Sequence, residues 1–184
     1  MFTASQKRKE NIAEYLLYMW QIEDIIRAYN LDIERIKANV INRYTSLDDS
    51  QRQELTDWYE SLIDMMRFEG KENAGHIQIN MNTLSALVAL HQTLLKDPRF
   101  PDYSAQFYRA LPFIVELRSK AGEQKSGEIE TCFNALYGLL MMRLQQKEIS
   151  ESTINAISEI SKFVATLAHN FALDEQNKLF PNDN

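Results

Sequence analysis

The stretch SESTINAISEISKFVATLAHNF, residues 150–171, decides the fold. Its apolar side chains Ile154, Ile157, Ile160, Val164, Leu167 and Phe171 recur at intervals of three and four, which at about 100° per residue places them on one stripe of an α-helix. Ser150 stands ahead of the stripe, where its hydroxyl can accept from an unpaired first-turn amide. A helix with one apolar stripe has to bury it against another element, so the fold class turns on what the rest of the chain offers.

Working outward, the same period returns six times. Ile129, Cys132, Phe133, Leu136, Leu139, Leu140 and Leu144 define the preceding helix, with Gly122 and Gly127 flanking the break before it. Upstream, Pro98 and Pro101 end one helix and start the next, and Pro112 falls inside that next segment, where it kinks the helix or opens its second half. Asn80 is a cap candidate for a helix through Leu84, Leu87, Val88, Leu94 and Leu95, after a loop over 70–75. A helix over about 48–69 aligns Leu55, Trp58, Tyr59, Leu62, Met65 and Met66, with Ser46 and Asp49 spaced like a capping box. A first helix over about 5–29 carries Ile12, Tyr15, Leu16, Met19, Ile22 and Ile26, and Asn30 and Asp32 break it and cap a shorter one running to residue 44. The polar end, 174–184, is expected to fray. The expectation is a single all-α bundle of six or seven helices, kinked near Pro112, with residues 1–184 as one domain and an ordered core over about 5–173.

Composition agrees. Five Gly and four Pro among 184 residues are under half the usual combined share of about 12 %, too few for the turns of an all-β fold. Hydrophobic residues at 45 % supply a core that a disordered chain lacks. Lys and Arg number 20 against 26 Asp and Glu, a formal charge of −6, which disfavours nucleic acid as a partner. The basic run Lys7-Arg8-Lys9 precedes only six apolar residues, 15–20, bracketed by Glu14, Glu23 and Asp24, so neither export nor membrane insertion is supported. One cysteine, Cys132, cannot form an internal disulfide, and the expected location is the cytoplasm.

Chemistry-bearing motifs are missing. The glycines are too dispersed to cradle phosphate, no Glu-x-x-His pair exists for a di-iron bundle, and His76, His91 and His169 lie on different segments. No cofactor or metal is expected. What remains are polar residues that the helical wheel places on apolar faces. Glu23 projects between Ile12 and Leu16, with Arg27 four residues on as the simplest partner. Arg118 shares a direction with Phe107, Leu111 and Ile114, and Arg143 lies between Cys132 and Leu136. Both can carry their guanidinium groups out to water along an apolar stem. Alternatively, Glu23, Arg118 and Arg143 converge, leaving surplus positive charge for an anionic small molecule. His91 sits at the centre of the arc of Leu84, Leu87, Val88 and Leu95, as a core histidine does. Tyr137 and the other aromatic residues read as core, with hydroxyls able to line a pocket margin.

The segments QKRKENIAEYLLYMW (6–20), WYESLIDMM (58–66), LPFIVELR (111–118) and EIETCFNALYG (128–138) resemble those of a family of small bacterial proteins described as a domain of unknown function. The likeness extends over about 5–173 and implies a stand-alone helical protein. It brings no activity, ligand or catalytic residue. The residues therefore favour a noncatalytic helical protein acting through contacts with a protein partner or with copies of itself. The alternative is a binding protein for an anionic small molecule, or an enzyme, using the Glu23, Arg118 and Arg143 cluster.

Overall fold

A computed structural model describes residues 2–120 and 126–180, the side chain of Phe2 excepted. Among these residues every regular element is helical. Eight α-helices run in the order α1 (Phe2–Glu10), α2 (Ile12–Ala28), α3 (Ile33–Asn39), α4 (Asp49–Phe68), α5 (Gln78–Lys96), α6 (Pro101–Lys120), α7 (Glu128–Leu144) and α8 (Glu151–Glu175), with a 3₁₀ turn at Ile41–Arg43. None is long and apolar enough to cross a membrane.

The all-α class holds, and the count of six or seven is corrected to eight. Asn11 makes the difference. Its side chain accepts from the Ala13 amide at 2.9 Å, starting a new helix where the apolar period shows no interruption. Other caps follow local chemistry. Asp32 accepts from the amides of Glu34 and Arg35, and the Ser150 hydroxyl accepts from Thr153, both as the sequence indicates. The capping box of α4 is Asp48 with Gln51, in place of Ser46 with Asp49. Asn80 is not a cap: α5 has already begun at Gln78, and Asn80 is buried on its first turn.

Contacts divide the described residues into two compact units, one of residues up to 10 with 14–82, the other of 11–13 with those from 83 on. No linker in the sequence marks this division, and α5 runs unbroken through residues 82 and 83. The first unit buries Leu16, Trp20, Ile26, Ile36, Tyr59, Ile63 and Met66. There α3 packs on α4. In the second, α6 and α7 both pack on α8 and on each other. The stripe quoted at the outset is buried from Ile157 through Phe171, while Ile154 at its start is 45 % exposed. Pro112 lies inside the continuous helix α6. Past Glu175, in the stretch expected to fray, Leu179 is buried and the Phe180 ring meets Phe100 edge-on at 5.5 Å. Gly122 and residues 181–184 lie outside the described residues.

Phe163 is fully buried on α8, between Phe107 and Tyr103 of α6. Phe163→Ala is expected to lower stability by about 3–5 kcal/mol in urea unfolding. Ser161→Ala, on the exposed face of the same helix, should change it by less than about 0.5 kcal/mol.

Candidate functional site

Two polar settings stand out, one in each unit. In the first, Glu23 on α2 is wholly buried. One carboxylate oxygen accepts from the Ile77 amide at 3.0 Å and from the Asn80 side chain at 2.7 Å. The other lies 2.6 Å from His76 Nδ1. Burying a carboxylate this deeply is tolerable only with such partners. Two of them stand at the N-terminal end of α5, where the helix dipole and the unpaired amides favour negative charge. Glu69 adds a second carboxylate, accepting from the Gln78 amide at 2.6 Å. Glu23 and Glu69 together supply what a local capping residue would.

Arg27 does not pair with Glu23, the simplest partner on the wheel. Its guanidinium forms an ion pair with Asp24 at 2.9 Å and donates to the backbone carbonyls of Lys71 and Gly75. The loop over 69–77 is thus tied to α2 twice, by a cation through carbonyls and by an anion through amides. Gly75, at φ +81°, takes a backbone angle that a side chain would strain. The imidazole of His76 stacks on the Trp20 ring with centroids 4.1 Å apart.

An imidazole with one nitrogen on a carboxylate is also the skeleton of a general base. Here the carboxylate is shared with a helix end. The neighbouring cleft of about 680 Å³ is lined by Arg27, Asn30, Leu31, Arg67, Glu72 and Asn73, and not by His76. The geometry is that of a clasp.

In the second unit His91 is buried among the rings of Phe107, Phe163 and Tyr103, with centroids 4.8, 5.6 and 5.8 Å away. Nδ1 lies 2.7 Å from the hydroxyl of Tyr103, a phenol whose pKa burial pushes up. Nε2 faces the Glu128 carboxylate at 3.7 Å, beyond hydrogen-bonding distance, and that negative charge favours the ring proton on Nε2, which leaves Nδ1 to accept from the phenol. Burial holds the His91 pKa below its ordinary 6.5, with Glu128 opposing. The sequence reading of a core histidine is what the structure shows. Cys132 is fully buried, and burial pushes its thiol up to about 12, which removes it as a nucleophile.

The remaining candidates also belong to the second unit. Arg118, near the end of α6, lines a small cavity and has a buried Nε with no hydrogen-bond partner. Arg143 is exposed at the last turn of α7, where the apolar arc around it is itself open. Tyr137 is half-buried in the same helix. Glu23 takes its partners from its own unit. His76, the partner that most changes the reading of Glu23, lies 53 positions away in a loop that carries no periodic signal.

This is an all-helical protein whose described residues hold no group of three side chains able to bind a metal ion. The chain belongs to the family described as Domain of unknown function (DUF4924), whose model matches residues 1–178. No curated protein and no solved structure matches it.

Glu23→Ala strands the Ile77 amide, the Asn80 amide and the His76 ring, and is expected to cost about 3 kcal/mol in urea unfolding. Glu23→Gln, which keeps one acceptor oxygen, should cost less. For His91, the unfolded chain takes up a proton near pH 6.5 and the folded chain only at lower pH. The stabilisation is complete above pH 6.5 and is lost as pH falls toward the folded value. Unfolding of wild type at pH 7.5 and 5.5 should show this loss, and His91→Gln should remove that part of it. Equal losses in both proteins would contradict the assignment.

Proposed function

We propose that the protein is a noncatalytic, cytoplasmic helical protein that acts through helix-face contacts with a second copy of itself. The observation that carries this reading is the second half of α7. From Thr131 to Met142 the chain has no charged residue, and Leu136, Leu139, Leu140, Met141 and Met142 surround the helix in every direction. A helix that is apolar all round belongs in an interior. These five side chains are only half-buried, and Leu144 is 61 % exposed.

Charge supports a like partner. With a net charge of −6, two copies repel over most of their surfaces, and a charge-free stretch of twelve residues is where they can approach. Methionine side chains adapt to such contacts at little cost. We place a bend in α6 at Pro112, which has no amide to bond the Tyr108 carbonyl one turn back. Nucleic acid and membrane are not among the partners we propose. The lone buried thiol, Cys132, fits a reducing compartment.

Sedimentation equilibrium over a range of concentrations tests the reading. Wild type should approach twice the chain mass of 21.5 kDa, and Leu140→Glu combined with Leu144→Glu should weaken association by about tenfold or more. Ile79→Glu, an exposed apolar position on α5, should leave it unchanged. A wild-type chain that stays at 21.5 kDa throughout would rule the proposal out.

A further inference from the structure

The Arg118 guanidinium is a charged group with a buried donor left unpartnered. Its Nε is buried and has no hydrogen-bond partner, and the side chain forms none of the ion pairs described. A buried donor left unmade is costly, more so on a charged group, so what it bonds in the working protein needs identifying.

Arg118 lines a cavity of about 210 Å³ between the end of α6 and the start of α7, together with Leu117, Ser126, Thr131, Asn134 and Ala135. The Thr131 hydroxyl donates to the Gly127 carbonyl at 2.8 Å, which leaves its oxygen able only to accept. Neither the Ser126 hydroxyl nor the Asn134 amide has a described partner. The first turn of α7 begins at Gly127 without a side-chain cap. Among the described residues no carboxylate lines this cavity. The cleft lined by Asp32, Glu60 and Asp64, by contrast, has Arg67 as its one cation. In a chain of net charge −6, a cavity whose described lining holds one cation and no acid favours an anion.

Size and lining narrow the ligand. About 210 Å³ is the liquid volume of about seven waters and lies below the usual range for cofactors and nucleotides. Leu117 and Ala135 supply an apolar wall beside the guanidinium. A planar guanidinium matches a carboxylate oxygen for oxygen. We propose that this cavity is a binding site for a small free carboxylate with a short apolar tail, the carboxylate on Arg118 and the tail against Leu117 and Ala135. The cavity takes Thr131, Asn134 and Ala135 from the start of the charge-free stretch, but none of the apolar side chains from Leu136 to Leu144 that carry self-association lines it, so the two readings are tested at different residues.

The test uses the full chain and four sodium salts, acetate, butyrate, isovalerate and phosphate, with the Arg118 Nε–H resonance followed by nitrogen-15 NMR. The expected result is a saturable shift that strengthens from acetate to isovalerate. Arg118→Gln should weaken isovalerate binding by about tenfold or more, read from the Ala135 and Asn134 amides. Ala135→Leu fills the cavity and leaves the guanidinium in place, so it should abolish the shift while circular dichroism confirms an intact helical fold. Arg143→Gln should bind as wild type does. The proposal is overturned by no saturable shift with any carboxylate, by binding that survives both Arg118→Gln and Ala135→Leu, or by phosphate matching isovalerate.

Discussion

A carboxylate with no exposure to water has to be satisfied by the protein itself, and in the first unit that requirement falls on Glu23. Its two oxygens draw in the Ile77 amide, the Asn80 side chain and the His76 ring. Those three groups fix where the loop after α4 turns back and where α5 begins. Arg27, one helical turn further along α2, holds the same loop by its carbonyls. Acid and base on one helix thus divide the loop's backbone between them, one taking amides and the other carbonyls. An apolar residue at position 23 would fit the stripe of α2 and would leave the start of α5 without its anion.

The second unit meets the same problem with a different group. Burial among aromatic rings disfavours the charged form of His91, and Tyr103 bonds its Nδ1. One polar contact in an aromatic cluster specifies how α5, α6 and α8 meet without placing a charge there. Arg118 does bring a charged group to this unit, and its Nε is buried without a hydrogen-bond partner.

Much of the fold was legible because helices advertise themselves through apolar spacing. Residues 150–171 show it most clearly, and the caps at Asp32 and Ser150 are chemistry local enough to read from a few letters. The division at Asn11 was not legible, because Ile12, Tyr15 and Leu16 continue the period and only the side chain's turn onto the Ala13 amide ends one helix and begins the next. Asn80 resembles a cap in sequence, yet the true anion arrives from Glu23, 57 positions away. Glu23, Arg118 and His91 could each be recognised as polar residues in apolar directions. Their partners could not, because His76 and Tyr103 are chosen by tertiary packing and leave no spacing of their own. Arg27 is bound instead by Asp24 and by the carbonyls of the loop, which only the folded loop brings within its reach.

Cys132 is the chain's single sulfhydryl, it is sealed in the second unit, and its proton is held up to a pKa of about 12. A thiol in that state reacts with an alkylating reagent only during the moments when its surroundings come apart, as an unfolded cysteine would. The protein therefore carries its own clock for the breathing of that unit. The rate at which the sulfur is captured counts the openings of the α6, α7 and α8 core, with no label or engineered probe to disturb them.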